Sequence, residues 1–463
     1  MKPFGWKIIL IGIELNKQTR QLHLGFTIWP FGFHPAGWRL PGARTGADID
    51  SNLFKRSAQI AESGKFDFFF IGDRVSSSTE LQNERPNQVL RPEALSLAGF
   101  VAGVTEKIGI VVTVNVTYSE PYSVARATAT LDHLSNGRIG LNIVTGEDKS
   151  AAQNYGRKEH WDNSLRYEWA SEFIEVVKSL WDSWEDDAIL GDKKKSFLNT
   201  TKIHKISHRG KFFSVEGPLN VERPIQGQLP IVNAGRSDNS IELGARFSDI
   251  KFTDSSSLGF EGAKEYYARL KSRAAAAGRN PDAQVVIPGI AVYTAKTSKE
   301  AHALYRQVQE SWPIPIDLQA LSQGLGVVLD GFEASTRISQ VPAFLAATAN
   351  AVEHLRTARW LYGEEDISLA DLFRYYRRHE LFKEVVGSPT EVADFIQHWF
   401  EERAADGFMI FPPYMDGALE DFVELVIPEL QARGLFRTEY AGSTLREHFN
   451  LARPANVNAA AHG

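Results

Sequence analysis

Eight times along this chain, a short run of β-branched and aromatic residues gives way to a longer run with apolar residues at three- and four-residue spacing. The strand-like runs fall at 22–28, 66–71, 108–114, 139–144, 229–233, 249–253, 285–294 and 407–411. Helix-like runs follow at 51–63, 92–104, 121–134, 167–184, 239–247, 261–277 and 299–310; another at 390–405 leads into the last strand, and 419–433 closes the series. Strands and helices alternating at these lengths imply right-handed crossovers and a parallel sheet. Eight such units predict an α/β fold of the (β/α)8 TIM-barrel type rather than an open, doubly wound sheet.

Two stretches break the rhythm. Residues 185–228 carry a lysine run and a hairpin-like segment at 208–215, and residues 312–388 form a long excursion with at least one helix near 344–361. Structureless loops of that length are rare in compact domains, so the second is expected to be a lid with its own helices. The expected organisation is one barrel domain over 1–453 with these two insertions, then a disordered tail at 454–463.

Composition removes several classes of function. There are 51 Lys and Arg against 57 Asp and Glu, a net charge of −6, which argues against a nucleic-acid binder. The absence of cysteine excludes disulfides, thiol nucleophiles and Cys-ligated metals. The apolar stretch 8–13 is far short of the roughly 20 residues of a membrane span, and no cleavage pattern follows it. The expectation is a cytoplasmic protein without a membrane partner.

Phosphate-loop, dinucleotide-fingerprint, nucleophile-elbow and zinc-protease motifs are all missing. His204 and His208 lie in a strand-and-turn context where i, i+4 spacing does not converge, so no metal is expected. In a barrel, function sits at the C-terminal strand ends. The first strand runs into Trp29, Phe31, Phe33, His34, Trp38 and Arg39. The next four end in Asp73-Arg74, in Thr113, Asn115 and Thr117, in Thr145-Gly146-Glu147, and in Asn233, Gly235, Arg236 and Ser237. This hydroxyl-, amide- and ring-rich lining suits a large polar cofactor that carries the chemistry itself. Ser237 stands at a strand–Gly-x-Ser–helix junction, where backbone N–H groups and the helix dipole favour phosphate.

Several long runs resemble the bacterial-luciferase-like flavin monooxygenases. They include GKFDFFFIGD (64–73), EPYSVARATATLDHLSNGRIGLNIVT (120–145), RYEWASEFIEVVKSLWDSW (166–184), HRGKFFSVEGPLNVERPIQG (208–227), AGRSD (234–238), DGFMIFPP (406–413) and VIPELQARGLFRTEY (426–440). The resemblance is to the nitrilotriacetate, EDTA and dibenzothiophene-sulfone monooxygenase subfamily, in collinear order over roughly 22–453. It implies a two-component enzyme in which a separate NAD(P)H:flavin reductase supplies reduced FMN, and dioxygen is the co-substrate. It also implies a homodimer or homotetramer. Matched position by position, the resemblance places Asp73, Thr113, Asn163, Tyr167 and Ser237 at the flavin. This chain departs from the family at Asn163-Ser164, where His-Asp is usual, and at Gly146, where a serine is usual. The alternatives are a deazaflavin-dependent reductase of the same fold and a flavin-free barrel hydrolase or lyase.

His34, an imidazole that would titrate near neutrality, is the candidate proton shuttle. Trp29, Phe33 and Trp38 are the candidate substrate wall. Their rings would reward a planar aromatic or heteroaromatic substrate, including one of riboflavin type. Flexible polycarboxylates would instead call for converging arginines, with Arg39, Arg44 and Arg74 as candidates.

Overall fold

Alternate residues of the strands sort into two apolar sets. Leu24, Phe26, Phe69, Ile71, Ile110, Val112, Leu141 and Ile143 pack outward against helices. Phe68, Phe70, Val111, Val232, Ile250, Ile287, Met409 and Phe411 fill the inside. Strands buried on both faces are what a closed parallel barrel requires. In this computed structural model, residues 20–43, 49–78, 86–378 and 382–459 are described. The 8–13 stretch and Arg44 lie outside them.

The strands are β1 (His23–Thr27), β2 (Phe68–Ile71), β3 (Gly109–Asn115), β4 (Ile139–Val144), a small hairpin of β5 (His208–Arg209) and β6 (Ser214–Val215), β7 (Ile231–Ala234), β8 (Ile250–Thr253), β9 (Val285–Thr294), β10 (Lys383–Gly387) and β11 (Gly407–Phe411). β1, β2, β3, β4, β7, β8, β9 and β11 pair in that order, all parallel. The circle closes where β1 meets β11, with Leu24 opposite Phe408 and Phe26 opposite Ile410. All eight expected strands are present, with ends moved by up to two residues. Helix starts follow side-chain caps: Asp50 accepts from Asn52 and Leu53 N–H, Asp162 from Leu165, and Ser237 from Ser240.

The sequence reading did not foresee β10. It lies inside the second insertion and pairs with the upper half of β9, Val385 opposite Val292. Its opening Lys-Glu hides the strand pattern. Glu384 is nevertheless buried, accepting from the hydroxyls of Tyr293 at 3.1 Å and Tyr305 at 3.0 Å, with the Arg378 guanidinium beside it. The insertion also holds the helices Leu318–Leu325, Ala349–Tyr362 and Leu369–Tyr376, whose apolar faces join the inner core. Residues 454–459, expected as part of a disordered tail, instead lie against the first insertion. There Asn456 is buried and donates to the carbonyls of Asp182 and Trp184.

The N-terminal end of the barrel is closed by the chain's own last segment. Leu445 sits so near the floor that a Cβ on Gly109 or Gly140 would stand 2.3 or 2.8 Å from it. Phe449 stacks on His23 at 4.6 Å. Asp67 locks this closure. Its carboxylate accepts from the Leu24 N–H at 2.7 Å, meets His23 Nδ1 at 2.9 Å and pairs with Arg437. Burial opposes its charge, but Arg437 and His23 prevail and hold the carboxyl below its usual range.

His448 donates from Nδ1 to the Asp67 carbonyl, and burial pulls its imidazole down to about 4. The unfolded chain binds this proton near 6.5, whereas the native ring refuses it until about 4. Stability is therefore full above pH 6.5 and drains away as pH falls toward 4. At pH 5 this one group should cost about 2 kcal/mol relative to pH 7.5. Urea midpoints at the two pH values should differ less in His448→Gln by that amount; equal differences would remove His448 from the account.

Candidate functional site

Polar strand ends gather at the C-terminal mouth, where β2, β3, β4 and β7 border a cleft of about 360 Å³. Asp73, Asn163, Tyr167 and Ser237 all line it, together with Arg74, Asn115, Arg166 and Arg236. Four of the five residues expected at a flavin thus meet in one place.

Each is positioned by local structure. Asp73 follows β2 and turns its carboxylate back to the Arg74 N–H at 2.7 Å. Burial raises its pKa, opposed by that N–H, with Glu93 adding to the rise and Arg91 working against it. Asn163 begins the helix Asn163–Trp181 and accepts from Asn239 at 2.6 Å, joining two helix N-termini at the rim. Tyr167 lies one turn further on. Ser237 caps the helix Asp238–Phe247, accepting from the Ser240 N–H, and brings the N-terminus of that helix to the cleft.

The fifth, Thr113, lies deeper, two residues before Asn115 on β3. It is buried inside the barrel and accepts from Asn142 Nδ2 on β4 at 2.9 Å. The Asn142 side-chain oxygen is buried and has no partner. The sequence reading missed Asn142. The signal was available: an amide at an inward position of a strand otherwise made of Ile, Gly, Leu and Val is costly unless a polar group meets it.

Gly146, where the resemblance implied a serine, sits in a turn that favours glycine. Its φ is +72°, and a Cβ there would lie 2.6 Å from Asn115 Nδ2. Asn115 in turn accepts from the Thr117 N–H at 3.2 Å and holds the turn after β3.

His34 is not brought to the cleft. It is fully buried; Nδ1 accepts from the Ala36 N–H at 3.0 Å, and Nε2 faces the Gln309 side-chain oxygen at 3.3 Å. Burial, then the charge of Arg378, push its pKa well below the usual value, which corrects its reading as a proton shuttle. The ring ties the loop after β1 to the helix Ser298–Glu310.

The aromatic wall exists, but its faces are taken. Phe33 packs on Phe411 at 4.9 Å and Phe382 at 5.3 Å, with the Arg378 guanidinium 5.2 Å from its ring. Trp29 meets the edge of Phe33, and Arg91 covers it at 4.5 Å. Trp38 is half-buried under Arg39 at 4.3 Å. Among the described residues, no three His, Asp or Glu side chains converge as a metal site, and no helix is long and apolar enough to cross a membrane.

Comparison with known proteins matches residues 32–407 to the luciferase-like monooxygenase family. The chain belongs to this family. It is 39% identical to N-acetyl-S-(2-succino)cysteine monooxygenase of Bacillus subtilis strain 168, covering 96% of this chain and 99% of that one. It is 40% identical to nitrilotriacetate monooxygenase component A of Aminobacter aminovorans, covering 95% and 98%. A solved riboflavin lyase, bound to modified FMN and riboflavin, superposes with a TM-score of 0.77 at 28% identity, covering 94% of this chain and 97% of that one. The chain is therefore a flavin-dependent monooxygenase, and the deazaflavin and flavin-free alternatives are set aside.

Gly146→Ser is expected to lower stability by roughly 1–3 kcal/mol through backbone strain and displacement of Asn115. A urea midpoint equal to wild type would show that the turn tolerates a side chain.

Proposed function

We propose that the cleft binds reduced FMN delivered by a separate NAD(P)H:flavin reductase, and that the enzyme uses dioxygen to oxygenate a small carboxylate-bearing molecule. The observation that carries the cofactor reading is the convergence of Asp73, Asn163, Tyr167 and Ser237 on one cleft. The residues present suit the group. Ser237, Arg236 and the helix N-terminus form a cradle for a phosphate, and the unpartnered oxygen of Asn142 beside Thr113 awaits a ring N–H. Bound reduced flavin supplies the electrons that activate dioxygen. The protein's own part is to orient the ring, exclude water and hold the substrate at the mouth. The separate reductase is supported by relatives named as single components of larger systems.

The substrate reading turns on Arg91. Its guanidinium is half-buried beside Trp29, and its Nη1 lies 3.3 Å from where a Cβ on Gly72 would stand, just past the C-terminal end of β2. It donates to the Asn87 carbonyl at 3.0 Å, but Nε has no partner and no carboxylate pairs with it among the described residues. Burial lowers its pKa to about 10. A desolvated cation on which Asp73 acts only at a distance, without pairing among the described residues, favours an anionic ligand. With the ring faces of Trp29 and Phe33 already covered, carboxylate recognition is better supported than stacking. The names of the two relatives given above describe polycarboxylated molecules.

Photoreduced FMN, titrated anaerobically, should bind, and oxygen should then be consumed when a generic reductase and NADH are added. Failure of both redox states of FMN to bind would overturn the reading. In a substrate screen read by mass spectrometry, polycarboxylates should be oxygenated. Arg91→Met should raise KM for the turned-over acid about tenfold, ~1.4 kcal/mol, while Trp29→Phe leaves it near wild type. The opposite ranking would restore an aromatic substrate.

A further inference from the structure

Lys251 lies on β8 behind the cleft and takes no part in the site as described so far. It is fully buried and points away from the barrel axis, beneath the helix Asp238–Phe247. Its Nζ donates to the Asn233 side-chain oxygen, to Ser240 Oγ at 2.8 Å and to the Ser240 carbonyl at 3.2 Å. Three acceptors match the three N–H bonds of an ammonium. Ser240 passes the constraint on: its Oγ reaches the Ala234 carbonyl at 2.5 Å, and its backbone N–H donates to Ser237 Oγ. One buried cation thus holds both ends of the turn 234–237.

No carboxylate pairs with this ammonium among the described residues. Asp254 acts on it from further away and is itself engaged by Arg236 at 2.7 Å. From β7 the lysine faces the uncharged Asn233. On the overlying helix, Asp238 is paired with Arg269 and Arg246 with Glu175, both at the surface. Tyr266, which donates to the Gly235 carbonyl, has its hydroxyl pushed up to about 12. A buried cation under a helix N-terminus adds positive charge to positive dipole, an arrangement that is unfavourable until an anion joins it.

We propose that Lys251 is the buried counter-charge of the phosphate turn: a positioning residue that, through Asn233 and Ser240, shapes the 234–237 turn for a dianionic phosphate monoester and takes up a proton from solvent when that phosphate arrives. This rests on the FMN reading above. In the free protein, burial lowers the ammonium to about 7. Above that pH the site is progressively discharged, and dianion binding must restore the proton, so affinity falls as pH rises. A phosphate monoester has its own second pKa near 6 and adds no trend above pH 7.

The test is titration of the full-length protein with FMN and with riboflavin at pH 7 and pH 8, alongside calorimetry in two buffers of different ionisation enthalpy. FMN should bind about fivefold more weakly at pH 8, with proton uptake approaching one per flavin, while riboflavin affinity stays level. Lys251→Met should weaken FMN with a flat profile and leave riboflavin unchanged; Lys251→Arg should keep a flat profile with tighter binding than the methionine variant. If Lys251→Met does not fold, the wild-type proton uptake decides. An FMN affinity that is level between the two pH values without proton uptake, or the wild-type slope persisting in Lys251→Met, would overturn the proposal. Absence of binding by both flavins would overturn the cofactor reading itself.

Discussion

The buried carboxylate of Asp67 is the constraint on which the rest of the barrel depends. It stands just before β2 yet reaches the first two residues of β1, His23 and Leu24, and the closing segment through Arg437. Its own backbone carbonyl accepts from Gly109 at the start of β3. Three neighbouring strands and the closing segment therefore converge on one residue. Removing one partner of such a buried set leaves an unpaired charge, which costs far more than an exposed pair ever contributes. The register fixed there at the floor sets which residues face inward at the mouth, because side chains alternate along every strand.

The mouth inherits that register and divides its labour. On the β3–β4–β7 side, inward positions end in Thr113, Asn142 and the Ser237 turn, a polar surface with an unfilled acceptor. On the β8–β9–β11 side they end in Phe252 and Phe411, joined by Phe33 and Phe382 in an apolar block. In the function proposed above, the first side would take a ring system carrying a phosphate tail and the second would limit water. Arg91 stands between the two beside Trp29. Polar recognition on one wall and exclusion of solvent on the other is the division of work that a cofactor-borne oxidation needs.

Much of this was legible in the residues. The eight strands stood out because each is buried on both faces, and Ser237 stood out at a strand–helix junction; the helix expected from 167 instead begins four residues earlier, at Asn163, behind the Asp162 cap. β10 was hidden because Lys383 and Glu384 break the apolar run; only the tertiary partners Tyr293, Tyr305 and Arg378 make that glutamate tolerable. The flavin positions came from the family resemblance, whereas the placing of Trp29, Phe33 and His34 came from proximity in sequence. Proximity alone is a weak guide, because a loop beside the mouth can turn its rings into the core, and His34 does. Asn142, Arg91 and Lys251 share one signature that can be found only in three dimensions, a buried polar group short of partners or counter-charge.

The floor plug also fixes when the molecule can be finished. Leu445, His448 and Phe449 seal the bottom of a barrel whose first strand lies more than four hundred residues upstream. Loop closure over so long a span contributes little until the late contacts form. Until Leu445, His448 and Phe449 dock, the floor stays open and the rings of Phe68 and His23 lack their cover, so the docking of this one segment, rather than the pairing of the last strand, is the step that commits the barrel to its native state.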